Sequence, residues 1–247
     1  MDVPPDKAPR QNADMNKIKE KLARGGTVFV LNPNFPSPAL VEYAAELGFD
    51  AVLIDCEHGS ADFERVEELA RAARAGGMTS LVRPWSNEPG LVTRFLDCGV
   101  NGIQFPHVEN AGVAREVVEM VRTARGKRFE DTLVVAMIES STAAQNIAEI
   151  AAVGGIDAIV IGLADLADSL GHPGDGTHAD VRRVVDAVIT ATKNSGRAAA
   201  GFNLHRWEEG GELTGKGVRW LTIHAKGMLA RGAQQLHTLL GDTQRPR

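Results

Sequence analysis

Short apolar runs rich in β-branched residues recur along the chain, separated by longer stretches with helical spacing. The runs are Thr27–Leu31, Ala51–Asp55, Thr79–Arg83, Gly102–Phe105, Leu133–Ile138, Ala158–Ile161, Ala198–Phe202 and Trp220–His224. Between them the pattern predicts helices over Ala39–Leu47, Asp62–Ala75, Pro89–Cys98, Ala111–Thr123, Thr142–Val153, Ala179–Asn194 and Trp207–Thr214, with Lys226–Leu240 last. Asp62 is placed to cap its helix, and Gly48, Gly76–Gly77, Gly99 and Gly196 to end theirs. Met15–Arg24 adds a helix ahead of the first strand, placed to cover one end of the molecule. Eight short buried strands alternating with helices predict a (β/α)8 TIM barrel. A doubly wound open sheet is the competing architecture, but no Gly-x-Gly-x-x-Gly follows the first strand. A single barrel domain is expected over residues 15–241, with 1–14 a disordered tail and 242–247 a frayed one.

Composition narrows the class without naming a chemistry. The 247 residues suit one α/β barrel, and 43% hydrophobic with 24% charged content is ordinary for a soluble protein. A net charge of −5 without blocks of like charge argues against nucleic acid or a membrane surface as partner. Cys56 and Cys98 are too few for a disulfide framework and fit a reduced, cytoplasmic protein. The polar, Pro-rich start MDVPPDKAPRQNAD has no apolar core of a secretory signal, and no run approaches a membrane span.

Chemistry in such a barrel sits on the loops after the strands. Those loops carry Asn32 and Asn34, then Asp55, Glu57 and His58, then Arg83, Trp85 and Asn87, then His107. Glu139, Asp165, Asn203, His205 and His224 complete the ring. Glu139 and Asp165 follow neighbouring strands, so their carboxylates share one edge of the sheet. Two carboxylates aimed at one space repel unless they share a cation or one stays protonated. Hard oxygen donors suit Mg²⁺ or Mn²⁺. The bland alternatives are that Glu139 caps a helix opening at Ser140 and Asp165 caps one at Leu166–Leu170. Taken singly, His58 and Asp55 read as loop residues held by hydrogen bonds, Cys56 and Met137 as packing, and His172 and His178 as solvent-exposed.

Four segments carry a more specific signal: IDCEHGSADFERVEEL (54–69), LVRPWSNEPGLVTRFLDCGVNGIQFPHVENAGVA (81–114), VAMIESSTAAQNIAEI (135–150) and GIDAIVIGLADLADSLGHP (155–173). They resemble the HpcH/HpaI family of class II pyruvate aldolases, whose fold is a phosphoenolpyruvate/pyruvate-type barrel. The resemblance implies a metal-dependent lyase joining or splitting a pyruvate enolate and an aldehyde, on a 4-hydroxy-2-oxo acid. It implies Glu139 and Asp165 as ligands of Mg²⁺, Mn²⁺ or Co²⁺, and Arg83 as donor to the keto oxygen. His58 would handle the proton on the aldol hydroxyl, with Asp97 setting its tautomer. Amides over Gly162, Leu163, Ala164 and Asp165 would hold the substrate carboxylate. Asp97 falls at the far end of its helix from His58, so the dyad requires a neighbouring subunit, in keeping with the family's hexamer, a trimer of dimers.

The chain departs from the family in four places. The loop 121–133 is about twenty residues shorter. Met137 stands where many members have Gln, which removes a substrate hydrogen bond. Leu163 replaces Pro, and WLTIHAKGM (220–228) replaces a Val-Gly-x-Asp ending. The enolate half therefore reads as intact and the acceptor half as rebuilt. Competing readings are a decarboxylase or C–C bond-forming enzyme on an oxaloacetate-type enolate, a CoA-ester lyase, and a non-catalytic barrel scaffold.

Overall fold

The computed structural model describes residues 17–204 and 206–241. The expected tails and His205 lie outside the described residues. Eight parallel strands close into a barrel in chain order: β1 (Val28–Asn32), β2 (Ala51–Asp55), β3 (Thr79–Arg83), β4 (Gly102–Phe105), β5 (Leu133–Ile138), β6 (Ala158–Ile161), β7 (Ala199–Leu204) and β8 (Val218–His224), which pairs back onto β1. The helices are α1 (Lys17–Ala23), α2 (Pro38–Glu46), α3 (Phe63–Ala75), α4 (Pro89–Asp97), α5 (Ala111–Arg125), α6 (Ser141–Gln145), α7 (Ile147–Ala151), α8 (Leu163–Ser169), α9 (Ala179–Ser195), α10 (Glu209–Lys216) and α11 (Ala225–Leu239). None of the described helices is long and apolar enough to cross a membrane.

Alternation along each strand decides which side chains enter the barrel. Val30, Leu53, Leu81, Val135, Val160 and Trp220 fill the interior, with Ile18 of α1 packed among them from below. Their neighbours Val52, Ile54, Val82, Ile103, Val134 and Ile159 face outward under the helices. Trp220 is fully buried and is the largest side chain of the interior. Trp220→Ala is expected to cost about 3–5 kcal/mol, or a fall in Tm of roughly ten degrees at about 2–4 °C per kcal/mol. A thermal melt checks it, and a shift of under two degrees or so would mean the interior is not organised around this ring.

Two predicted helices are redrawn. The single helix over 142–153 is α6 and α7, interrupted at Asn146. The Asn146 side chain donates to the Glu109 carbonyl across the groove (2.9 Å) instead of facing solvent along a continuous helix. α8 begins three residues earlier than expected, so Asp165 sits in its first turn and caps nothing. Glu139 is not a cap either, since Ser140 caps α6 by accepting the Ala143 N–H (3.0 Å). The short 121–133 connection folds as a 3₁₀ turn over Gly126–Asp131, with buried Phe129 beneath the Arg122 guanidinium at 4.1 Å.

The closed end of the barrel is tied by α1. Lys21 pairs with Asp50 (2.7 Å), and Lys19 with Asp157 (3.1 Å). The two carboxylates also accept the N–H groups of Phe29 and Val134, at the starts of β1 and β5.

Candidate active site

β2 and β3 end side by side, with Asp55 in register with Arg83. Arg83 donates from Nε to Asp55 Oδ1 (3.0 Å) and from Nη2 to Oδ2 (2.5 Å), and its Nη1 lies 3.1 Å from Glu57 Oε2. Asp55 also accepts the N–H groups of Glu57 and His58, which folds the loop after β2 back over the strand end. Burial opposes ionisation of Asp55. The Arg83 hydrogen bonds and charge, with those two amides, outweigh it and hold the carboxyl below its usual range. Arg83 is likewise raised by Asp55 against the effect of burial.

Glu139 stands one residue beyond β5 and is 4% exposed. Its Oε1 accepts the His107 N–H at 2.6 Å and lies 2.9 Å from His107 Nδ1. His107 reaches on to Glu57, with Nε2 at 3.3 Å from Oε1. It does so from a left-handed backbone (φ 56°), uncommon for a residue other than glycine. Burial raises the Glu139 pKa, the His107 amide and ring oppose it, and the charges of Glu57 and Asp165 raise it further. Gly162 leaves the room this needs: a Cβ there would lie 3.0 Å from Glu139 Cβ and 3.1 Å from Oε2. Asp165 is exposed on α8, close enough for its charge to act on Glu139. Glu57 and Asp165 thus each add a like charge against the buried Glu139 carboxylate, a repulsion that a hard divalent cation would relieve.

The remaining expected residues are placed as follows. His58 is exposed, its Nε2 3.8 Å from Glu57 Oε2. Asp97 ends α4 on the outer wall, half exposed, 3.2 Å from Arg125 Nη1. The His58–Asp97 pair does not form within the chain, because α4 runs away from the mouth. The Gly162 amide is committed to the Ile138 carbonyl (3.0 Å), which leaves the first-turn amides of Leu163, Ala164 and Asp165 without an intrahelical acceptor. Met137 is buried, and its sulfur accepts from Gln104 Nε2 at 3.2 Å.

Three residues of the site do not stand out in the sequence. Glu57 is one acid among several on its loop, and its place between Arg83 and His107 follows from the fold of the Asp55 turn. His107 reads as a pocket wall. Gln104 gives one signal, a lone amide inside the apolar run GIQF, and in the structure it supplies that amide beside Met137. A second imidazole–carboxylate group joins His172 and His178 of the loop before α9 to Asp180 in its first turn, and the two histidines are half-buried where exposure was expected. The two rings stack at 3.5 Å, and His178 Nδ1 is committed to capping α9 through the Asp180 N–H.

Beside Arg83 opens a cavity of about 220 Å³, between the loops after β1, β2 and β8. Its walls include Asn32, Asn34, Asp55, His58, Arg83 and Lys226, and none of Glu57, Glu139 and Asp165.

Comparison with known proteins gives a coherent result. The chain is 32% identical over 207 residues to a pyruvate aldolase of Rhizobium etli, covering 75% of this chain and 82% of the relative. It is 33% identical over 215 residues to a hydroxypyruvate/pyruvate aldolase of Paraburkholderia phytofirmans, covering 76% and 83%. Among solved structures, the citrate synthase SbnG superposes with a TM-score of 0.83 at 27% identity, covering 92% of this chain and 98% of that one. The model of the HpcH/HpaI aldolase/citrate lyase family matches residues 29–231. That match leaves no barrel strand wholly outside it, and the chain belongs to the HpcH/HpaI aldolase/citrate lyase family, as an enzyme of the lyase class.

Proposed function

We propose that the protein is a metal-dependent aldolase acting through a pyruvate-type enolate, on a 4-hydroxy-2-oxo acid. The observation that carries this reading is Glu139, buried among like charges and next to Arg83, a placement that a catalytic cation explains and packing does not. Glu139 and Asp165 would hold the ion, with Glu57 beside them and His107 fixing the Glu139 carboxylate. Bound there, Mg²⁺, Mn²⁺ or Co²⁺ supplies Lewis-acid stabilisation of charge on the 2-oxo group.

The chain's own groups supply the rest. Arg83 has five N–H donors, and the Asp55 and Glu57 contacts use three. The two left over can meet the oxygen on which negative charge grows as the C3–C4 bond breaks. The Asp55 fork holds the guanidinium plane fixed, so little reorganisation is needed at that moment. His58, exposed at the rim, accepts the 4-hydroxyl proton in cleavage and returns it in addition. As that proton leaves, the hydroxyl carbon becomes the aldehyde carbonyl, and the C3–C4 electrons pass into the enolate, which is then protonated at C3. The amides opening α8 suit the 2-oxo acid's carboxylate. Asp97 would reach His58 from a neighbouring subunit of a homo-oligomer; Asp97→Ala is expected to lower activity about tenfold or more and to flatten the pH profile, and unchanged kinetics would remove Asp97 from the site.

The deciding experiment is metal-dependent exchange of the pyruvate methyl protons in D₂O, followed by NMR. Exchange that requires the metal and is lost in Glu139→Ala supports an enolate-forming site. The absence of exchange with every metal would refute it. The likeness to a citrate synthase favours one second reading, C–C bond formation on an oxaloacetate-type enolate, which the same assay with oxaloacetate tests.

A further inference from the structure

The connection from α8 to α9 carries two imidazoles and a carboxylate that the aldolase reading does not use. His172 Nε2 lies 3.6 Å from Asp180 Oδ2, and His178 Nδ1 lies 3.7 Å from the same oxygen. One ligand atom from each residue falls within 4.8 Å of the other two. Both contacts to Oδ2 are too long for hydrogen bonds. They come near the donor–donor separation of about 3.3 Å along the edge of a zinc tetrahedron with bonds of roughly 2.05 Å.

The remaining contacts of these groups aim the three atoms at one point. Asp180 Oδ1 accepts from Arg183 Nη2 (2.6 Å), which leaves Oδ2 to the histidines. His178 Nδ1 accepts the Asp180 N–H at 3.2 Å, so its lone pair carries no proton and faces Asp180. Histidine is an unusual N-cap, where Ser, Thr, Asp and Asn lead. Thr177, one residue earlier, gives its hydroxyl to Asp175 instead (2.7 Å). All three residues are half-buried, held in place yet within reach of an ion from solvent. Asp168 at the end of α8 and Asp175 in the loop add negative charge, which offsets the positive end of the α9 dipole.

We propose that His172, His178 and Asp180 form a second metal site, one that takes zinc rather than magnesium and pins the connection to α9. Two imidazoles and one carboxylate are a borderline donor set, unlike the oxygen donors at the mouth, and three protein ligands leave the fourth position to water. The proposal does not depend on the aldolase reading. Loading breaks two contacts. The ion takes Nδ1 from the capping amide. The rings stack 17° from parallel with centroids 3.5 Å apart, so their in-plane lone pairs run side by side, and one ring must turn for both to meet the ion. The gain is a cross-link. The His172 N–H is bonded to the Ala167 carbonyl (2.9 Å) and the Gly174 N–H to Asp168 Oδ1 (3.2 Å), so the ion joins the C-terminal end of α8 to the start of α9.

The test uses the full chain with Glu139→Gln, which removes the buried carboxylate of the mouth, and titrates Zn²⁺ by calorimetry. Zinc is expected to bind in this background, and its affinity to fall about a hundredfold or more when His172→Phe is added. Phenylalanine keeps a flat ring against His178 and removes the nitrogen. Asp180→Asn keeps the capping N–H and an oxygen for Arg183, and is expected to give the same loss. Excess Mg²⁺ is expected to leave the zinc in place. Co²⁺ in its stead should show the strong visible bands of a tetrahedral ion, and the ring protons of His172 and His178 should lose the upfield NMR shift of the stack. Zinc affinity unchanged by His172→Phe or by Asp180→Asn overturns the proposal, as does an octahedral Co²⁺ spectrum. Melts of the metal-free proteins show that each variant is folded, and if His172→Phe is not, Asp180→Asn decides alone. Pyruvate proton exchange is read separately, so its failure refutes the aldolase reading and leaves the zinc result standing.

Discussion

Arg83→Lys is expected to lower kcat/KM by about 10²–10³-fold while leaving folding and metal affinity unchanged. Lysine keeps the positive charge but not the planar fork, and Asp55 loses one of its two parallel hydrogen bonds. The ammonium cannot span Asp55 and Glu57 and still aim two further donors at the substrate. Arg83→Met is expected to be worse for a different reason. It leaves Asp55 charged and buried beside an apolar side chain, and breaking a buried pair from one side costs about 3–5 kcal/mol. Steady-state kinetics beside a thermal melt separate the two effects. Wild-type kcat/KM in a folded Arg83→Lys protein would take the guanidinium out of the mechanism. The pair also carries a pH signature. Asp55 has a folded pKa below its ordinary value, so its contribution to stability is complete above that ordinary value and is lost as pH falls through the lower, folded one.

Glu139→Gln is expected to abolish metal-dependent exchange and, without metal, to make the protein more stable. The folded state raises the Glu139 pKa, so it disfavours the ionised form, and the penalty sets in as pH rises above the unfolded value. Glutamine keeps the oxygen that accepts the His107 N–H and removes the charge. The metal-free variant should melt a few degrees above wild type at neutral pH, at about 2–4 °C per kcal/mol, and level with it in acid. Saturating Mn²⁺ at a hundred times its Kd stabilises a single site by about 2.7 kcal/mol, so it should raise the wild-type Tm and leave the variant where it was. A variant that melts lower than metal-free wild type at neutral pH would show that the Glu139 carboxylate holds the fold together.

The strand ends were the most legible part of this sequence. β2 through β6 begin and end where the apolar runs do, because each is bounded by Gly, Pro or a charged residue. Glu139 and Arg83 could be placed at the mouth for the same reason, one strand end at a time. The interruption at Asn146 was not legible, since TAAQNIAEIAA keeps helical spacing and the break depends on a carbonyl 37 residues away. Nor could spacing show that His107 would turn left-handed and link two acids, or that Gln104 would place an amide beside Met137. Those are contacts between elements, and they follow from barrel register. Asp97 marks the limit of reading one chain: its placement away from His58 was foreseeable, and its partner Arg125 was not.

The α1 ties bear on how the enzyme can be handled. Lys19 and Lys21 anchor that helix across the closed end of the barrel, on the side opposite the loops that follow the strands. A resin or surface linker joined ahead of Lys17 would therefore present the mouth outward, and immobilised catalyst should keep its turnover. Coupling through Lys226 would instead plant the support in the doorway.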